Sequence, residues 1–252
     1  MDDAARRAGD VRTVNVGLLH PGEMGAAVGA ALAAAGHTVL WASDGRSEAT
    51  QARAAALDDA GTVAHVVARS GVVFSVVPPH AALGLARSLP PFDGIYVDAN
   101  AVSPETARAV GASVARFVDG GIVGGPPAPR LYLSGGEAAA VAALFEGSPI
   151  ETELVANASA LKCAYAAWSK GTAALVLAIR DFARAEGVED ALVAEWARSL
   201  PDLAARLAAA ERSAAKKGWR WVGEMEEIAS AFAADGLPAG FHQAAAEIYR
   251  RP

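Results

Sequence analysis

A chain of 252 residues, 53% hydrophobic and only 20% charged, is globular and long enough for two domains, which excludes a disordered chain. A formal charge of −6 with no run of Lys or Arg argues against a nucleic-acid partner. The single cysteine, Cys163, has no internal disulfide partner, the first ten residues lack the apolar core of a signal peptide, and the apolar runs are too short for a bilayer. A cytoplasmic protein without membrane contact is expected.

In chain order, Asp2–Arg12 is polar and is expected to fray. Thr13–Gly25, TVNVGLLHPGEMG, reads as a strand (Val14, Val16, Leu18, Leu19) entering a turn with Pro21, Gly22 and Gly25. An alanine-rich helix to Gly36 and a second strand, HTVLWAS, follow. Strand, glycine turn, helix, strand opens a dinucleotide-binding unit, whose turn amides and helix dipole suit a pyrophosphate. The GxGxxG pattern asks for glycine at 20, 22 and 25, and position 20 is His20. The same glycines would also suit a plain β–turn–helix, where they serve only packing.

Ser47–Leu57 reads as a helix with a short strand near Ala56–Asp58. TVAHVVARS is then a helix, GVVFSVVPP a buried strand closed by Pro78 and Pro79, AALGLARSL a helix and GIYVDAN a strand. Ser103 and Pro104 cap and start the next helix. RFVDGGIVGGPP is a strand entering a Gly/Pro loop, LYLSGG a strand, GEAAAVAALF a helix and IETELV the last strand. This alternation predicts an α/β, Rossmann-type, doubly wound and mostly parallel sheet over 1–155. From Asn157 the periodicity is helical, predicting a smaller all-helical domain over 156–252. Its first helix is long, capped by Asn157 and stopped by Gly187, with others near 189–199, 201–216, 221–235 and 239–250.

The residue ending the second strand separates NAD from NADP, since a carboxylate there binds the ribose 2′-hydroxyl and an arginine takes a 2′-phosphate. Ser43 and Arg46 in WASDGRS favour NADP, and Asp44 keeps NAD open. The expected cofactor set is His20, Pro21, Gly22, Glu23, Met24 and Gly25 at the turn, with Ser43, Asp44 and Arg46. Val77, Pro78 and Pro79 would stiffen the wall beside the nicotinamide, and Asn100 would meet its amide. Gly124 and Gly125 expose N–H groups to a substrate oxygen, although each loop has a simpler reading as turn chemistry. Lys162 stands on an otherwise apolar stretch and shares a helix face with Tyr165, Ala166 and Ser169. An ammonium there either serves a carbonyl oxygen as hydride moves or snorkels at the helix margin. Cys163 reads as a small hydrophobe, and His80 and His242 lack metal-ligand spacing, so no metal is expected.

These residues resemble the β-hydroxyacid dehydrogenase superfamily, which includes 3-hydroxyisobutyrate and 6-phosphogluconate dehydrogenases. The family's GxxGxGxMG turn is matched by Gly17, Gly22, Met24 and Gly25, with His20 as the departure, and its D-x-P-V-S-G-G substrate loop by Asp119, Ile122, Gly124 and Gly125. The family serine falls on Val123, the asparagine after the catalytic lysine on Ala166, and a second lysine on Gly223, with Glu224 replacing the adjacent Asp. The resemblance implies that Lys162 is the catalytic lysine and that Val123, Gly124 and Gly125 face the substrate; Tyr165 and Trp168 are expected to shape the pocket between the domains. AYAAWSKGTAAL and RWVGEMEEIA resemble a branch with a phosphogluconate-dehydrogenase-like helical domain. Imine reductases share the architecture but usually lack this lysine. The expected function is NAD(P)-dependent hydride transfer with a small hydroxy acid, alcohol, carbonyl or imine. The alternative is a non-catalytic dinucleotide-binding module that senses redox state or serves as a structural partner. Small-residue faces on the long helix predict a homodimer through the helical domain.

Overall fold

Strands buried along nearly their whole length need cover on both faces, and the first, fourth and fifth strands lie in the middle of such a sheet. The structure, a computed structural model, describes residues 13–251, so the Asp2–Arg12 segment lies outside the described residues. The first βαβ unit is β1 (Asn15–Leu18), α1 (Glu23–Ala34) and β2 (Thr38–Trp41). It is followed by α2 (Glu48–Arg53), β3 (Asp58–Asp59), α3 (Val63–Arg69) and β4 (Val72–Ser75). Next come α4 (Pro79–Arg87), β5 (Ile95–Asp98), α5 (Pro104–Gly111) and β6 (Phe117–Val123). The sheet is completed by β7 (Arg130–Ser134), α6 (Ala138–Ala143) and β8 (Glu151–Leu154).

The eight strands run in the order β3-β2-β1-β4-β5-β6-β7-β8. Neighbours are parallel except for β6 and β7. Alternate side chains feed two cores: Val16, Leu18, Phe74 and Val97 pack on one face, Leu19, Val73 and Tyr96 on the other. This is the doubly wound α/β arrangement expected from the alternating pattern. The short third strand falls at Asp58–Asp59 rather than Ala56–Asp58, because it pairs with Leu40 and Trp41 of β2.

After the sheet the chain is helical: α7 (Ala158–Ala185), α8 (Glu189–Ser199), α9 (Leu203–Ala234) and α10 (Gly240–Arg250). Asn157 caps α7, its side chain accepting from the Ala160 N–H at 2.8 Å. One expectation is corrected here. The helices expected over 201–216 and 221–235 are a single 32-residue helix running through Gly218. A mid-helix glycine costs about 1 kcal/mol, which tertiary packing overrides. Gly218 is buried beside the Tyr249 ring of α10, within the contact between the two helices. No helix among the described residues is long and apolar enough to cross a membrane.

The helical region is fixed to the sheet where α7 starts. Asp119 of β6 accepts from the Ser159 N–H at 2.8 Å, from the Ser159 hydroxyl and from the Ser134 hydroxyl at 3.0 Å. A carboxylate set on the first turn of a helix also favours its dipole. Two residues along β6, a Cβ on Gly121 would stand 2.7 Å from the Ala158 carbonyl oxygen and 3.1 Å from the Lys162 Cβ. Only glycine admits this approach. Gly121→Ala should therefore lower stability by about 1–3 kcal/mol by pushing α7 off β6. A urea midpoint equal to wild type would show that the contact is not tight.

Candidate functional site

The turn after β1 is closed by the Gly22 N–H donating to the His20 carbonyl at 2.9 Å. Gly25 lies under that carbonyl, and any side chain at 25 would collide with it. Above Gly22 there is open space, with no atom within 4 Å of where a Cβ would be. The turn is thus packed against α1 and open on its outer side, as a backbone cradle for an anion requires. Burial, then the charge of Arg46, lowers the His20 pKa to about 4, so the ring is neutral near pH 7. The Arg46 guanidinium donates to His20 Nε2, and also to the Leu19 carbonyl at 3.4 Å. Arg46 therefore reaches back from the end of β2 onto the glycine turn.

Past the turn, a cleft opens between the strand ends and the helical region. Its sheet side is formed by Glu23, Met24, Val77, Pro78, Pro79 and Asn100, and by Ile122, Gly124 and Gly125 after β6. Gly124 has φ +94°, which explains a glycine there. The opposite wall carries Lys162 and Lys170 from α7, and Lys217, Arg220, Trp221 and Glu224 from α9. Lys162 Nζ donates to the Ile122 carbonyl at 2.6 Å. Burial pulls its pKa down to about 8, which makes it able to give or take a proton near neutrality. Lys170 pairs with Glu224, whose carboxylate favours its charged form, and stands 5.8 Å from the centroid of the Trp221 ring.

Of the expected residues, Arg46 reaches the glycine turn, and Glu23, Met24, Val77, Pro78, Pro79, Asn100, Gly124, Gly125 and Lys162 line the cleft. Several expectations change in detail. Asn100 lines the cleft, but its Nδ2 donates to Ser75 Oγ at 3.0 Å and to Asp98, while its Oδ1 accepts from the Val77 N–H at 2.5 Å. With both donors engaged, it holds the Val77–Pro79 wall rather than donating to a bound ring. Burial, then Asp119, raises the Asp98 pKa to about 7. Ser43 is committed to Asp59, whose carboxyl it helps hold below the usual range. Val123, Tyr165 and Trp168 do not line the cleft. Val123 is buried opposite Arg130 of β7. Trp168 is 66% exposed and borders an apolar groove between α7 and α10, because at 100° per residue it falls on the far side of the helix from Lys162.

The stripe Lys217, Arg220, Trp221 and Glu224 was missed. Its i, i+3, i+4, i+7 spacing was visible, but only in an unbroken helix. Lys170, eight residues beyond Lys162, was legible as a second cation on the same helix. Among the described residues no cluster of His, Cys, Asp and Glu could hold a metal ion.

Residues 15–102 match a family described as NADP oxidoreductase coenzyme F420-dependent, and residues 183–251 match a domain of unknown function, DUF1932. Among solved structures, a conserved protein of unknown function, reported to resemble 3-hydroxyacid dehydrogenases, is 26% identical with TM-score 0.68, covering 94% of this chain and 96% of that one. A 3-hydroxyisobutyrate dehydrogenase from Mycobacterium tuberculosis with L-serine shares the fold at 19% identity and TM-score 0.67, covering 94% and 93%. A reductive aminase from Aspergillus terreus in complex with NADPH and ethyl levulinate does so at 20% identity and TM-score 0.57, covering 95% and 93%. No curated protein matches the sequence.

A buried ion pair is costly to break from one side. Lys170→Met is expected to destabilise the protein by about 3 kcal/mol, and Lys170→Met with Glu224→Leu to recover most of that loss. Chemical denaturation of the three proteins checks this; a harmless single variant would mean that the pair does not form.

Proposed function

We propose, from the fold of the β-hydroxyacid dehydrogenase superfamily that this chain carries, that it is an NAD(P)-dependent oxidoreductase. Its substrate is a small hydroxy acid, alcohol, carbonyl or imine. The observation that carries the reading is Lys162, an ammonium of depressed pKa in a cleft that also takes in Glu23 and Met24, the residues following the open Gly22. The amides after His20 and the start of α1 would hold the diphosphate, and Met24 and the Val77–Pro79 wall would flank the ring. Arg46 beside the turn, the NADP family match and the NADPH of the reductive aminase support NADP over NAD. Bound there, a nicotinamide supplies or accepts hydride.

The chain's own residues manage the proton. Lys162 donates to the substrate oxygen or nitrogen as negative charge develops on it, and takes the proton back in the oxidative direction. Gly124 and Gly125 offer backbone to the substrate, and Trp221 screens the Lys170–Glu224 pair at the side of the cleft. We place the chain in a reducing compartment, the cytoplasm, on the buried free thiol of Cys163. We also propose a homodimer through the helical region, formed over the groove where Phe241 is 78% and Trp168 66% exposed.

One observation favours a non-catalytic dinucleotide-binding module instead: one of the three Lys162 donors is already engaged by a backbone carbonyl, that of Ile122. NADPH binding without turnover over a panel of carbonyl, imine and alcohol substrates would select that reading.

Lys162→Ala should lower kcat by about 10²–10⁴-fold with little change in NADPH affinity. Because the proton donor is the charged form, reduction should decline as pH rises through about 8, and oxidation should increase over the same range. Wild-type turnover in the variant removes Lys162 from the chemistry. Phe241→Asp should convert the dimer to monomer in sedimentation experiments, and a monomeric wild-type protein overturns the dimer.

A further inference from the structure

Glu23, the first residue of α1, carries a carboxylate on the anion cradle itself. That charge opposes a bound diphosphate. Its partners come from the other half of the molecule: Lys217 Nζ lies 3.0 Å and Lys216 Nζ 3.8 Å from its two oxygens. All three side chains are substantially exposed, so the pairs are screened by water and exchange readily. One turn along α9, Arg220 also faces the cleft and forms no ion pair among the described residues. Lys217 and Arg220 share the α9 face that ends at Trp221 and Glu224, so the stripe is cationic at the cleft mouth and paired at its floor. The sheet region therefore meets a movable carboxylate with two cations beside a cradle open above Gly22.

We propose that Lys217 exchanges Glu23 for the diphosphate of the dinucleotide and that Arg220, one turn along, joins it there, so that α9 of the helical region grips the cofactor from the side opposite the glycine turn. The inference rests on the dinucleotide-binding reading given above and adds to it a second set of phosphate ligands. A diphosphate presents more negative charge than one carboxylate, and arginine meets phosphate through two parallel donors. Glu23 then acts as a stand-in anion that holds Lys217 in place until the cofactor arrives.

The test is direct binding of NADPH, and of ADP-ribose, which keeps the diphosphate and lacks the nicotinamide, to the full chain. Lys217→Gln and Arg220→Gln are each expected to weaken both ligands by about tenfold or more and to flatten the fall of affinity with salt. Glu23→Gln is expected to tighten both, since a competing carboxylate is gone, and Lys217→Arg to retain wild-type affinity. Thermal melting of each variant identifies any loss that comes from unfolding, and Glu23→Gln, which must gain affinity, keeps the inference falsifiable in that event. Unchanged affinity in the two glutamine variants overturns the inference, as does weakened NADPH with unaltered ADP-ribose, or a raised substrate KM with unaltered cofactor binding. Failure of the wild type to bind either ligand overturns the dinucleotide reading as well, so the two failures are distinguishable.

Discussion

The position of the candidate site depends on one junction, where the N-terminus of α7 is locked onto β6. Asp119 draws in the Ser159 amide and hydroxyl and the Ser134 hydroxyl, while the Ala158 N–H donates to the same Ser134 oxygen at 3.0 Å. Gly121 removes the side chain that would keep α7 away. Lys162 comes one turn after this anchor, and its ammonium is placed by one hydrogen bond to the Ile122 carbonyl at the end of β6. Glu227 of α9 makes a comparable link on the other side, accepting from the Ser103 N–H at 2.7 Å and from the Thr106 hydroxyl at 2.8 Å at the start of α5. The helical region is thus held at two helix starts, where unpaired N–H groups favour a carboxylate.

Between those two anchors the cleft gathers Lys162, Lys170, Lys217 and Arg220 against Glu23 and Glu224. The arrangement grades from exposed to buried. At the mouth, screened charges exchange partners at little cost; at the floor, the Lys170–Glu224 pair lies between Trp221 and the body of α7 and cannot lose one member cheaply. Lys162 stands between these regimes, with a neutral carbonyl as its only hydrogen-bond partner among the described residues. No carboxylate fixes its proton, which is why burial alone moves its pKa toward neutrality.

Legibility in the sequence followed the range of the interaction. The first βαβ unit, the Ser103–Pro104 start of α5 and the Asn157 cap of α7 are written in adjacent residues, and each is found where local chemistry puts it. Lys162 was legible because an ammonium in an apolar stretch needs a reason. The two helices expected over 201–216 and 221–235 are one, held by packing against α10 that no local pattern reveals. Losing that helix concealed the Lys217–Glu224 stripe. Tyr165 and Trp168 failed differently: they lie close to Lys162 in sequence, yet on α7 they turn toward solvent and the apolar groove, while Lys170, farther along the chain, turns inward. The commitment of Asn100 to Ser75, Val77 and Asp98 depends on three strand ends converging, which only the assembled sheet supplies.

The missing first glycine acquires a physical role in this setting. His20 supplies through its carbonyl the contact that Gly25 packs beneath, so the backbone of the turn is kept. Its imidazole adds what glycine lacks, a neutral acceptor that receives Arg46. Arg46 is thereby held beside the turn by a neutral group, which leaves its positive charge uncancelled by the residue that holds it. A glycine at 20 would free Arg46 into solvent, where a long side chain loses its orientation to rotamer entropy. His20 thus keeps the backbone of the turn while its side chain fixes Arg46 beside it, two tasks that a glycine at this position could not combine.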